Sequence, residues 1–254
     1  MTLRTPLVTT MMFLGIAACE DSRSDPCATI DLSASRPRRP QLRGNSTSLS
    51  QCGPTLDLTP IHQYKGEVIG VQDREDAVVM INGACTGTLI AASAGPVVMT
   101  AGHCVGLNDR TLMAFNVEVE PEGDPLVTTG TVFEQSTTPD YALILLDELP
   151  MATPTLLTNQ LTDLVAIIHH PRGRPKVIGE GQVQNACDSM VYYRDLDTLV
   201  GSSGAGVLNR QGHLLGIHSD GNCARDGGGT NRGSTAAAIV EASLYLLDTD
   251  IADR

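Results

Sequence analysis

Three residues of this chain could act as one chemical unit. His103 stands in Val98-Met99-Thr100-Ala101-Gly102-His103-Cys104, Asp140 in Pro139-Asp140-Tyr141-Ala142-Leu143, and Ser203 in Gly201-Ser202-Ser203-Gly204. A serine hydroxyl is a poor nucleophile at neutral pH. It needs a base within hydrogen-bond reach and a carboxylate that fixes the tautomer of that base. His103 and Asp140 supply both. Gly201 suits a loop that must turn its own amide and that of Ser203 toward one point, as an oxyanion hole requires. The strand-turn-helix elbow of the α/β-hydrolases is excluded, because Ala205 sits where that turn needs glycine and both partners precede the serine.

Such residues need a rigid frame to aim them. From Val68 onward, short runs rich in Val, Ile, Leu and Thr recur between Gly, Pro, Asn and Asp. They are Ala77–Ile81, Thr86–Ala91, Pro96–Thr100, Thr131–Glu134, Ala142–Leu146, Val165–His169, Gly206–Leu208 and His213–His218. This spacing predicts antiparallel barrels or sandwiches, not βαβ units. Only Ala236 to Leu247 carries a helical apolar pattern. Trp is absent and Phe occurs three times, so the core must rest on aliphatic side chains. The 254 residues hold one all-β domain with a tail.

Four blocks in register resemble the chymotrypsin-fold serine proteases over Val68 to Leu247: Cys85–Ile90 with Val98–Cys104, then Asp140–Leu143, Gly201–Gly204 and Gly216–Ser219. The resemblance implies two perpendicular antiparallel β-barrels with a C-terminal helix and the active site between them. It also implies a catalytic triad of His103, Asp140 and Ser203, an oxyanion hole of Gly201 and Ser203, peptide substrates and no cofactor. The chain departs from its relatives at Ser202, where most carry Asp or Asn, which leaves open how the oxyanion loop is held.

Specificity reads two ways. His218, fifteen residues after Ser203, and Thr198, five before it, resemble the pair with which bacterial glutamyl endopeptidases and exfoliative toxins bind a Glu side chain. Both can donate to a carboxylate. Ser219 and Gly221 join the candidate pocket. Lys65-Gly66-Glu67-Val68-Ile69-Gly70 resembles the mature start of the same group, so a cut after Glu67 is expected to free a Val68 ammonium near the pocket. Asp197 points the other way, since six residues before the nucleophile trypsin-like enzymes keep the carboxylate that binds Arg or Lys. A non-catalytic pseudoprotease is the rival of another class. His169-His170 could pair on a metal, but the stretch reads as a structural strand-end loop, and no CxxC or HExxH motif points to a metal site.

The ends and cysteines complete the expectations. Residues 1–19 read as an export signal, apolar from Leu7 but too short to span a bilayer, whose Ala17-Ala18-Cys19 end resembles a lipobox that would lipidate Cys19. Residues 20–67, rich in Ser, Pro, Arg and Thr, read as a disordered tether or propeptide, and 68–254 as the protease domain. The expected product is an exported monomer, either an envelope lipoprotein or one secreted after propeptide removal. The remaining six cysteines imply disulfides. Cys85 should pair with Cys104, because they bracket the strands that deliver His103. Cys187 is expected to pair with Cys223 beside the pocket, leaving Cys27 with Cys52 by elimination. A net charge of -12 argues against a nucleic-acid partner.

Overall fold

The computed structural model describes residues 50–119 and 125–252. The export signal, Cys19 and Cys27 lie outside the described residues. The chain forms two closed antiparallel barrels. In the first, β2 (Val78–Ile81), β3 (Cys85–Ile90), β4 (Val97–Thr100), β5 (Arg110–Phe115), β6 (Val127–Thr137) and β7 (Asp140–Leu146) close in the order β2-β3-β4-β7-β6-β5. In the second, β8 (Leu164–His169), β9 (Val177–Cys187), β10 (Met190–Arg194), β11 (Gly206–Asn209), β12 (Leu214–Asp220) and β13 (Asn231–Thr235) close in the order β8-β9-β10-β13-β12-β11. Closure leaves no barrel strand with an unpaired edge. The expected all-β, two-barrel fold is therefore present. The C-terminal helix spans Ala236–Ala242, and Thr235 caps it by accepting the Ala238 amide.

The strands follow their side chains. In β5, Thr111, Met113 and Phe115 are buried while Arg110 and Leu112 face out, the alternation of a strand covered on one face. β4 and most of β8 are buried on both faces and read as continuous apolar runs. One aliphatic core fills the first barrel around Val79, Leu89, Val98, Met113 and Ile144. A second fills the other barrel around Val165, Ile167, Val191, Tyr193 and Leu215. The largest joins Ile90, Met99 and Leu143 of one barrel to Ile168, Leu208 and Ile217 of the other. Each such side chain, fully buried, stabilises the seam by about 1.5–3 kcal/mol.

Two expectations are overturned. Residues 50–67 are not a free tether, because the described part of this segment packs on the second barrel. There, β1 (Thr59–Pro60) pairs with Val177 and Ile178 of β9, and Ile61 is buried in the shared core. Low periodicity hid this, since the segment is held by backbone and polar bonds rather than by an apolar stripe. The cysteine pairing also differs. Cys85 bonds Cys104 as expected, but Cys223 bonds Cys52. The expected Cys187–Cys223 and Cys27–Cys52 bridges are thereby excluded. The cause is the docked segment, which brings the Cys52 Cα to 4.7 Å from that of Cys223. Cys187 is disulfide-bonded as well.

Candidate active site

His103 lies in a single 3-10 turn (Gly102–Cys104) that follows β4, and Asp140 opens β7. β4 and β7 are paired neighbours, Thr100 opposite Ala142, so the two residues leave the barrel side by side. Asp140 binds its partner twice. Its Oδ1 accepts the His103 amide at 3.0 Å, and its Oδ2 lies 2.7 Å from the ring Nδ1. With Nδ1 donating to the carboxylate, Nε2 is left as the basic nitrogen. Gly102 makes the approach possible: a side chain there would collide with the Ser136 and Tyr141 carbonyls and crowd Asp140. Gln135 braces the turn, donating to the Gly102 and Val105 carbonyls, both at 2.6 Å. Nothing in the sequence marked Gln135, because a polar residue in a strand is usually a solvated face.

His103 stays about half exposed, and its pKa is raised above the ordinary histidine value. The hydrogen bond to Asp140 is the main cause; burial opposes it, and the charges of Asp140 and Asp220 add to it. A cleft beside the ring is lined by Pro139, Asp188, Met190, Ser219, Asp220 and Arg232, among others.

Ser203 comes from the second barrel, on the loop that enters β11. Thr86 of the first barrel ties it across the seam, its amide donating to the Ser203 carbonyl at 2.9 Å. The same carbonyl lies 3.7 Å from the sulfur of Cys104, the residue after His103. The Thr86 hydroxyl donates to the Gly201 carbonyl at 2.7 Å. Gly201 has φ +96, and a Cβ there would strike the His170 carbonyl. Neither the Gly201 nor the Ser203 amide donates to a group among the described residues. Ser202 points inward, its Oγ accepting the Leu199 amide at 2.9 Å and lying 2.6 Å from His169 Nδ1.

The candidate pocket residues gather beside this loop. The Gly204 amide donates to the His218 carbonyl at 2.7 Å, and the His218 amide to the Ala205 carbonyl at 2.8 Å. His218 is buried, its Nδ1 2.5 Å from the Tyr193 hydroxyl, and burial pushes its pKa down to about 4. Thr198 Oγ1 and Ser219 Oγ are buried with no hydrogen-bond partner among the described residues. Gly221 backs onto Ser50, whose carbonyl accepts the Thr198 amide at 3.0 Å. Asp197 is buried, and its two oxygens accept the Cys52 and Asp57 amides at 2.6 and 2.5 Å. Val68 is not near this pocket. Its amide meets the Tyr64 hydroxyl and Glu180, and the Ile69 amide donates to Arg210, at the far end of β11 from Ser203. His169 and His170 bind different partners, Ser202 and the Arg174 carbonyl. Among the described residues no cluster of His, Cys, Asp and Glu could hold a metal.

Two barrels with a His-Asp pair on one and a glycine-flanked serine on the other define the architecture of a serine protease. Residues 85–217 match the trypsin-like peptidase domain, and the chain belongs to that family. Solved structures of the same fold include the active form of the Rv3671c protease from M. tuberculosis, 18% identical with a TM-score of 0.53, the match covering 79% of this chain and 91% of that one. The protease domain of MamO from Magnetospirillum magneticum is 17% identical with a TM-score of 0.53, over 67% of this chain and 97% of that one. Deg5 is 19% identical with a TM-score of 0.53, over 67% and 88%. At these identities the likeness shows the fold alone. No curated protein matches the chain in sequence.

Proposed function

We propose that this chain is an exported serine endopeptidase that cleaves after glutamate. Ser203 Oγ attacks the scissile carbonyl while His103 Nε2 takes its proton. The amides of Gly201 and Ser203 hold the oxyanion, and His103 then passes the proton to the leaving amine. Water, activated by the same base, hydrolyses the acyl-enzyme. Asp140 fixes the tautomer and stabilises the imidazolium. The observation that carries the reading is the double attachment of His103 to Asp140, with Ser203 tied across the seam by Thr86.

Support for glutamate comes from the state of the pocket. Thr198 Oγ1 and Ser219 Oγ are unpartnered, and both can donate to a substrate carboxylate. Tyr193 donating to His218 Nδ1 leaves a proton on Nε2 for the same purpose. Asp197, the residue that argued for Arg or Lys, already accepts two backbone amides. Export, and anchoring through a lipidated Cys19, rest on residues 1–19; disulfides belong to an oxidising compartment and agree with export.

The test is cleavage-site profiling of a proteome-derived peptide library with the full chain beside its Ser203→Ala variant. Serine-dependent cuts with Glu before the scissile bond are expected. Cuts after Arg or Lys would return the role to Asp197. An intact library, with no labelling of Ser203 by a fluorophosphonate, would leave the non-catalytic binding module.

A further inference from the structure

The residue in front of the nucleophile is where this chain departs from its relatives, and the structure shows what replaces the usual carboxylate or amide. Ser202 is fully buried, and so is His169, the last residue of β8. Leu199 donates its amide to Ser202 Oγ at 2.9 Å, and the same oxygen is hydrogen-bonded to His169 Nδ1, 2.6 Å away. The result is a chain of two hydrogen bonds, from the Leu199 amide through Ser202 Oγ to the His169 ring, that closes the turn carrying Gly201 and Ser203. The next residue in the chain, just past the end of β8, reinforces it. His170 donates its amide to Thr86 Oγ1 at 3.0 Å, and Thr86 Oγ1 in turn donates to the Gly201 carbonyl. The two residues before Ser203 are thus gripped from one strand end, through Ser202 on one side and Gly201 on the other.

We propose that His169 is a positioning residue for catalysis: acting through Ser202, it holds the Gly201 and Ser203 amides in the orientation that receives the oxyanion. This rests on the reading of Ser203 as the nucleophile. The ring is suited to the task because it is neutral. Burial pushes its pKa down to about 3, so the ring stays neutral across the working pH range and its bond to Ser202 involves no charge. A packing-only role would be met by any apolar side chain of similar size. It would not place a ring nitrogen at hydrogen-bond distance from the one hydroxyl adjacent to the nucleophile. The lock also contains no charge and no chain terminus. Val68, the expected new N-terminus, lies at the other end of β11, bonded to Tyr64 and Glu180. Assembly of the oxyanion loop therefore does not wait for a cut at Glu67.

The test compares the full chain with His169→Leu, His169→Asn and Ser202→Ala, using the peptide cut fastest in the profiling experiment and a boronate of the same sequence as transition-state mimic. His169→Leu and Ser202→Ala are each expected to lower kcat about 100-fold, the lower end of what losing an oxyanion donor costs, with KM within threefold. The boronate should weaken by a similar factor. His169→Asn restores an acceptor near the Nδ1 position and should recover most of the loss. The double variant should be no worse than either single one, because both cut the same chain. A folded His169→Leu with kcat within threefold of the parent overturns the proposal, and so do losses in the two single variants that multiply. If His169→Leu does not fold, Ser202→Ala, which leaves the ring untouched, decides it by the same kinetics. Ser203→Ala separates the two levels: if it cleaves as fast as the parent, the protease reading itself fails and this inference falls with it.

Discussion

The carboxylate of Asp197 accepts the Cys52 amide on one oxygen and the Asp57 amide on the other. A residue that reads as a specificity determinant in the sequence also anchors the N-terminal segment. Asp197→Asn keeps one acceptor and turns an N–H toward a second N–H, so it should destabilise the fold by about 1–3 kcal/mol. The preference for the residue before the scissile bond should not change. Thermal denaturation and library profiling of the same variant check both halves. A swing of specificity toward or away from Arg and Lys would show that the carboxylate reaches the substrate.

The Cys52–Cys223 bridge ties that segment to the chain 171 residues later. Cys52→Ser is expected to cost roughly 2–5 kcal/mol of stability, as loss of a native disulfide typically does. The bridge also alters what processing can achieve. A cut at Glu67–Val68 would leave residues 52–67 attached. Material cut there should run as one species on a non-reducing gel and as two after reduction. Release of the N-terminal piece without reductant would contradict the bridge.

Much of this was legible beforehand, and the gaps have physical causes. Strands covered on both faces, such as Val97–Thr100 and Leu164–His169, announce themselves as apolar runs. β13, with the sequence Asn231-Arg232-Gly233-Ser234-Thr235, contains no apolar side chain and is a strand only because β10 and β12 flank it. β9 is interrupted by Gly179 and Gly181; a side chain at Gly181 would meet the Arg194 carbonyl. The triad candidates were found by residue type and order. Gln135, Thr86 and Tyr193 were missed, because their part depends on partners far along the chain, which no local pattern encodes.

His103 must be neutral to take the Ser203 proton. Its pKa lies above the ordinary value of 6.5, so kcat/KM should rise with pH through a midpoint above 6.5. The Asp220 charge contributes to that rise and is paired with Arg232 at 2.8 Å. Asp220→Asn removes the negative charge and leaves the positive one, so the acid limb should move to lower pH. A pH–rate profile of parent and variant measures this. A shift to higher pH would contradict the assignment of the limb to His103.

The Tyr193 hydroxyl lies 2.5 Å from His218 Nδ1, where donating to that nitrogen would hold the ring proton on Nε2. Tyr193→Phe frees the imidazole to place its proton on Nδ1, away from the pocket. Cleavage after Glu should fall by about tenfold, the worth of one hydrogen bond. Cleavage after Gln, which carries a donor of its own, should fall less. Parallel kinetics on the paired peptides decide it, and equal losses would mean that Tyr193 acts on folding alone.

One last contact sets how the cleft behaves as a whole. Lys176, wholly buried just before β9, is paired with Glu75 of the helix Val71–Glu75, donates to that residue's carbonyl at 3.0 Å, and lies 3.8 Å from Glu118 beyond β5; its amide donates to the Val117 carbonyl. Such a knot, drawn from both barrels and closed to water, would leave an unpaired charge behind if the barrels parted. The knot therefore pins the two barrels to one another instead of leaving them free to swing apart. The cleft beside His103 thus lies between two walls whose separation this buried knot fixes.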